Sequence, residues 1–140
     1  MNWDKTVVDV PGLRRSERNG YRQCVTAGNL VFIAGQSGLD ADFNVVSAQF
    51  EPQVRRTFEN IRLALQACHC DLADLVAMTV FLTDMRYFQE FVQLRKAILG
   101  DDLCTSAVVG VSQLAFPGLL VEIQATAVIP DGRTLHRTLQ

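Results

Sequence analysis

The sequence lacks the features that mark several large classes of protein. No stretch of its 140 residues approaches the roughly 20 consecutive apolar residues that cross a bilayer. The formal net charge of −2 and the isoelectric point near 5.6 give no electrostatic reason to bind nucleic acid or an anionic membrane surface. Residues 1–5 lack the basic start and apolar run of a signal peptide. We therefore expect a cytoplasmic protein with neither a nucleic-acid partner nor a membrane partner.

A metal-binding pattern is also missing, although residues 68–70 read Cys-His-Cys. This spacing differs from the two to four intervening residues of a zinc knuckle, and no second ligand pair follows. On a helix, Cys68 and Cys70 would point about 200° apart. We predict no metal and no cofactor, with Cys68 in the core, His69 on the surface and the thiols reduced.

The composition is that of one globular domain. Apolar residues make up 49% of the chain and charged residues 20%, and no repeat or Pro/Gly-rich linker divides it. We therefore treat residues 1–140 as a single domain. The tail at 130–140 is polar and is expected to extend along the surface or to fray.

The first half of the chain predicts three strands and a helix. The β-branched run at 6–10 indicates a strand, and the runs at 23–28 and 30–36 indicate a hairpin. From residue 50 to 68 apolar residues recur every three or four positions, which predicts an amphipathic helix. Five polar side chains are expected on its outer face: Gln53, Arg55, Arg56, Glu59 and Arg62.

The second half predicts a buried strand at 75–82, a helix from 84 that ends at Gly100, and strands at 106–112 and 120–129. Strands interleaved with two helices favour an α+β fold, with one mixed sheet and both helices packed on one face. The other face must then meet water or another subunit. The continuous apolar run at 75–82 favours a subunit, so we expect an oligomer.

Five segments in order resemble the RidA (reactive-intermediate deaminase, YjgF-like) family, over about residues 20–129. They are the segments at 20–25, at 28–36 (Gly-Asn-Leu-Val-Phe-Ile-Ala-Gly-Gln), at 53–65, at 79–85 (Thr-Val-Phe-Leu-Thr-Asp-Met) and at 120–125 (Leu-Val-Glu-Ile-Gln-Ala). The resemblance implies a homotrimer that binds a small molecule in clefts between subunits. It also implies metal-free hydrolysis of enamines and imines, such as 2-aminoacrylate, to a keto acid and ammonia.

That chemistry requires a cation for the substrate carboxylate and a carboxylate that activates water. By resemblance, Glu122 is the water-handling glutamate, Tyr21 is the family tyrosine and Gly35 is the glycine that lines the pocket. The family arginine falls on Thr105, so this chain is a divergent member. Val92 stands where the family has an asparagine, and Ala107 stands where many members have a cysteine.

Two hypotheses follow from these departures. In the first, the protein is a deaminase that uses Glu122 as its base and one of four nearby arginines as the substitute anchor. These are Arg14, Arg15, Arg18 and Arg22, of which Arg22, beside Tyr21, is favoured. In the second, the protein is a non-catalytic trimer that binds a small metabolite, as the changes at Val92, Thr105 and Ala107 favour.

Overall fold

The computed structural model describes residues 4–130, which contain six strands and two α-helices. The strands are β1 (Lys5–Val7), β2 (Cys24–Ala27), β3 (Leu30–Ser37), β4 (Leu75–Leu82), β5 (Thr105–Gly110) and β6 (Val121–Val128). The helices are α1 (Phe50–Gln66) and α2 (Phe88–Leu99). Apart from Pro130, the polar tail predicted at 130–140 lies outside the described residues.

All six strands form one mixed sheet in the order β1-β2-β3-β6-β4-β5. Strands β4 and β5 pair in parallel, and the other neighbours pair antiparallel. The connection between the two parallel strands runs through α2, as a parallel pair requires. The predicted α+β fold with a mixed sheet and two helices is confirmed.

The hydrophobic core lies between the sheet and the helices. Alternate residues of β6, from Val121 to Ala127, are buried on one face, as the period of a strand predicts. The apolar stripe of α1, which includes Phe58 and Ile61, is buried against them. Phe91 of α2 joins the same cluster and is fully buried. Each large side chain buried in this way contributes roughly 1.5–3 kcal/mol.

Several predicted boundaries shift because contacts distant in sequence compete with the local pattern. The first strand ends at Val7, since Val10 turns into the core and its carbonyl accepts a hydrogen bond from Leu13 N. Residues 85–87 form a 3₁₀ turn ahead of α2, because the Asp84 side chain accepts from the backbone N–H of Arg86.

The placement of Gln53 on the outer face of α1 is wrong. Its side chain is completely buried and forms hydrogen bonds with the backbone of Ser47, Gly118 and Leu120. The predicted burial of Cys68 and exposure of His69 are confirmed. Among the described residues, no group of three or more His, Cys, Asp and Glu side chains is arranged to hold a metal ion.

The sheet face opposite the helices carries exposed apolar side chains. Phe32 of β3 is 45% exposed and Val109 of β5 is 40% exposed. Between them, Gln124 of β6 pairs with Thr79 of β4, and these two strands help to line a groove of about 280 Å³. Within residues 4–130, no helix is long and apolar enough to span a bilayer.

Candidate functional site

Glu122 lies near the start of β6 on the sheet face opposite the helices. Its neighbours Val121 and Ile123 are buried in the core, so the alternation of the strand directs Glu122 away from the helices. It is in register with Ser37 of β3 on one side and with Phe81 of β4 on the other. The side chain is partly buried, so its carboxylate stands at a protected point of an otherwise open face.

A bulge in β3 brings Gly35 against this carboxylate. The register between β3 and β6 shifts after Ile33, so that Ala34 and Gly35 together oppose one residue of β6. A Cβ atom at position 35 would lie 2.5 Å from Oε2 of Glu122 and 2.9 Å from its Cδ. Only a residue without a side chain leaves the carboxylate in this position. The predicted partners Gly35 and Glu122 are therefore adjacent.

Arg14 is a buried cation on the other side of Gly35. Its Nη1 donates to Oε1 of Gln36 (3.0 Å), and its Nη2 donates to the carbonyl of Gly35 (3.2 Å) and to the hydroxyl of Tyr21 (3.4 Å). Only 6% of the residue is exposed. The guanidinium is thus locked beside the glycine that Glu122 contacts.

Two buried glutamines hold Arg14 in place. Nε2 of Gln36 donates to Oε1 of Gln23 (2.8 Å), and Nε2 of Gln23 donates to the carbonyl of Arg14 (3.1 Å). The chain of hydrogen bonds returns to its starting residue, so the backbone and guanidinium of Arg14 are fixed together. Such closed networks fix one geometry because a broken link leaves a buried polar group unpaired.

Burial and Arg14 act in opposite directions on Glu122. Burial raises the pKa of the Glu122 carboxyl, because the charged form loses solvation, and the charge of Arg14 lowers that pKa. The desolvation effect is the larger, so the pKa lies above the ordinary value of 4.5. A carboxyl with a raised pKa accepts and returns a proton more readily near neutral pH than an exposed glutamate does.

Helix α1 positions the segments on both sides of Glu122. The side chain of Asn60 donates to the carbonyls of Ser37 (3.1 Å) and Leu39 (2.9 Å), which fixes the end of β3. The Gln53 side chain donates to the carbonyl of Gly118 and accepts from the N–H of Leu120, each at 2.8 Å. The strand that carries Glu122 therefore begins from an anchored loop.

The predicted pocket residues near the N-terminus divide into two groups. Tyr21 lies at the site, with its hydroxyl against Arg14, and is 37% exposed. Arg22 lies on the surface, where its Nη1 is 3.3 Å from a carboxylate oxygen of Glu17. Arg15 is also exposed and lies near the same carboxylate. The structure therefore places Arg14 beside Glu122 and turns Arg22 towards an ion pair.

Val92, Thr105 and Ala107 do not converge within one chain. Thr105 and Ala107 lie on the sheet face that carries Glu122, with β4 between them and β6, and the hydroxyl of Thr105 donates to the carbonyl of Val76 (3.0 Å). Val92 lies on α2, on the opposite side of the sheet, and lines a separate cavity. A site that uses both groups would need a second copy of the chain.

Sequence reasoning did not identify Gln23, Gln36 or Arg95. The two glutamines are the polar residues at the first position of the apolar run 23–28 and the last position of the apolar run 30–36, and a buried amide without a partner would be costly there. Arg95 contacts Ser106 on β5, one position after Thr105. In the sequence, Arg95 follows Phe91 by one helical turn, so the two side chains share a helix face. The same spacing occurs on ordinary surface helices and does not by itself indicate a site.

Comparison with known proteins places these features in a family. The family model described as endoribonuclease L-PSP matches residues 14–129. A RutC family protein of Pyrococcus horikoshii is 34% identical over 108 residues, covering 76% of this chain and 85% of the relative. A 2-iminobutanoate/2-iminopropanoate deaminase of the mite Dermatophagoides farinae is 26% identical over 110 residues, covering 78% and 85%. The crystal structure of RidA from an Antarctic Psychrobacter species superposes with a TM-score of 0.82 at 30% identity, covering 89% and 99%.

Proposed function

This chain belongs to the RidA family, whose family model is described as endoribonuclease L-PSP, and from this membership we propose that it hydrolyses small enamines or imines to a carbonyl compound and ammonia. The mite relative is named for deamination of 2-imino acids. One observation carries the proposal: the partly buried Glu122 carboxylate rests on the bare backbone of Gly35, beside the fixed guanidinium of Arg14.

In the proposed mechanism Glu122 handles the protons of one water molecule. An enamine first takes a proton from solvent on carbon and becomes an iminium ion. Ionised Glu122 removes a proton from water as its oxygen bonds to the iminium carbon, which gives a carbinolamine. Protonated Glu122 then returns that proton to the nitrogen. The C–N bond breaks, ammonia leaves, and the remaining hydroxyl loses its proton to solvent as the carbonyl forms. The raised pKa of Glu122 suits both proton transfers.

We propose that Arg14 acts as a positioning residue for this step. Its Nη1 donates to Gln36 and its Nη2 to the carbonyl of Gly35, so the guanidinium is a fixed charge rather than a mobile one. That charge favours the ionised form of Glu122 and opposes the effect of burial. The carboxylate is thereby available as a base without losing its ability to return the proton.

We further propose that the chain assembles as a homotrimer with its ligand sites between subunits. Two features support this assembly: the apolar side chains of Phe32 and Val109 on the open face of the sheet, and the location of Glu122 on the same face. Isolated exposed apolar residues are common, but two on the same sheet face, with the groove between them, favour association. A cytoplasmic location stays a prediction.

RNA is not our proposed substrate, despite the description of the family model. The net charge of −2 offers little attraction for a polyanion. The second candidate is the non-catalytic binder, which the loss of an arginine at Thr105 favours. It predicts stabilisation by a small ligand without turnover.

The test is release of ammonia from 2-aminoacrylate generated in situ. We expect the wild type to be active and Glu122→Gln to lose about 10²- to 10⁴-fold in kcat, the contribution typical of a general base. The matched control is Glu59→Gln, which makes the same change on the solvent side of α1 and should retain full activity. An inactive wild type that still gains thermal stability from a 2-oxo acid would replace the deaminase proposal with the binder.

A further inference from the structure

A second cavity lies on the helix side of β5, away from Glu122 within one chain. It has a volume of about 250 Å³ and is formed by the outer stripe of α2 together with the start of β5 and the loop before it. Its lining residues are Val92, Arg95, Lys96, Leu99, Leu103, Cys104 and Ser106. The four residues from α2 have the spacing of one helix face, so they present their side chains to the cavity together.

Within residues 4–130, three contacts hold Arg95 in this cavity and engage only part of its guanidinium. Nη1 is 2.6 Å from the hydroxyl of Ser106 and 3.8 Å from the sulfur of Met78, and the guanidinium carbon lies 5.0 Å from the ring centre of Phe91. Among the described residues, Nε and Nη2 of Arg95 donate to no partner. A planar fork with two free donors matches a carboxylate.

Two cations line the cavity, Arg95 and Lys96. Within residues 4–130, neither Arg95 nor Lys96 forms an ion pair with an acidic side chain. The ion pairs of the described residues involve other arginines, at other places on the surface. The charge of Arg95 acts on the cavity wall. It lowers the pKa of the Cys104 thiol, although burial has the larger effect and raises that pKa. The remaining wall is apolar, through Val92, Leu99 and Leu103.

We propose that this cavity binds a small monocarboxylate with a short apolar tail, and that Arg95 is the residue that grips its carboxylate. The ligand class follows from the lining: the fork of Arg95 and the ammonium of Lys96 take the anion, and the aliphatic side chains take the tail. The inference rests on the proposed function, since a 2-imino acid has these two parts.

The test measures binding directly and does not depend on turnover. Isothermal titration calorimetry with 2-oxobutanoate compares the wild type with Arg95→Met, which keeps the apolar stem and removes the fork. We expect Arg95→Met to bind about 10- to 100-fold more weakly, the loss typical of hydrogen bonds to a charged group. Arg95→Lys, which keeps the charge but not the fork, should fall in between. The second ligand is 2-butanone, which lacks the carboxylate, and its binding should not depend on Arg95.

The control variant is Arg55→Met, which removes a cation from the exposed face of α1 and should bind 2-oxobutanoate like the wild type. Thermal unfolding of each variant identifies any that fails to fold. If Arg95→Met fails to fold, Ser106→Ala replaces it and should weaken binding, because it removes the hydroxyl that anchors the Arg95 guanidinium. Equal affinity of the folded variants and the wild type, or no binding by the wild type, would overturn the assignment. The ammonia-release assay of Glu122→Gln tests the proposed function separately, because a loss of turnover in that variant does not require any change in the affinity for 2-oxobutanoate.

Discussion

Substitution of Gly35 by alanine tests whether the position of the Glu122 carboxylate matters for activity. The added Cβ would lie 2.5 Å from Oε2, 2.9 Å from Cδ and 3.2 Å from Cγ of Glu122. An ordinary van der Waals contact begins near 3.4 Å, so Oε2 must retreat by about 0.9 Å. Gly35 does not have a left-handed φ angle, so the backbone itself accepts alanine.

The size of the effect follows from this displacement. All three close atoms belong to the end of a flexible side chain, so Glu122 moves and the strand does not. A shift of about 1 Å in a reacting group costs about 10²-fold in rate, which corresponds to about 2.7 kcal/mol of transition-state stabilisation. Folding should change by less than about 1 kcal/mol, because alanine restricts the unfolded chain and offsets part of the local adjustment.

The assay is kcat for ammonia release from 2-aminoacrylate, with thermal unfolding measured alongside. The control is Gly110→Ala in β5, where the new Cβ would meet only the side chain of Met85. In a double-mutant cycle, Glu122→Asp withdraws the carboxylate by one methylene. Adding Gly35→Ala to Glu122→Asp should then change kcat very little. A folded Gly35→Ala protein with wild-type kcat would refute the reasoning, since the carboxylate would then act from either position.

Two further predictions concern the charge at this site. Arg14→Met should move the acidic limb of the pH–kcat profile to higher pH, because the charge of Arg14 lowers the pKa of Glu122. Arg14→Lys keeps the charge and should shift the limb less. An unchanged acidic limb in both variants would contradict the electrostatic role of Arg14. Glu122→Gln should be more stable than the wild type at about pH 7 and no more stable at about pH 3.5, measured by thermal unfolding. The folded-state pKa lies above the ordinary 4.5, so ionisation of Glu122 costs stability as the pH rises, whereas at low pH the carboxyl is protonated in both the folded and unfolded states.

The sequence predicted the elements well where the hydrophobic period is strong. The strand at 75–82 has the bounds that the apolar run indicates, and the alternation around Glu122 placed that residue on the correct face. Gln53 was misplaced because a polar residue on a helix is ordinarily solvated. Two of its three hydrogen bonds are with Gly118 and Leu120, which lie far along the chain, and the third is with Ser47 in the loop before the helix, so no helical pattern reports them.

The choice among the arginines shows the same limit at the site. Arg14 and Arg22 have identical side chains and lie on either side of Tyr21, so adjacency to a motif favoured Arg22. The structure buries Arg14 instead, because the segment after β1 folds inward and Gln36 offers a buried acceptor. Arg22 finds an acidic partner, Glu17, at the surface.

By itself, the sequence determined the fold class and the family and singled out Glu122 as the candidate carboxylate, because these depend on local periodicity and on short ordered motifs. Only the tertiary structure decided which cation accompanies Glu122, why position 35 excludes a side chain and where Arg95 lies. Each of these depends on a register shift or on a contact between segments distant in sequence. Such contacts form when the chain closes on itself, and their geometry is set by the packing of the whole domain.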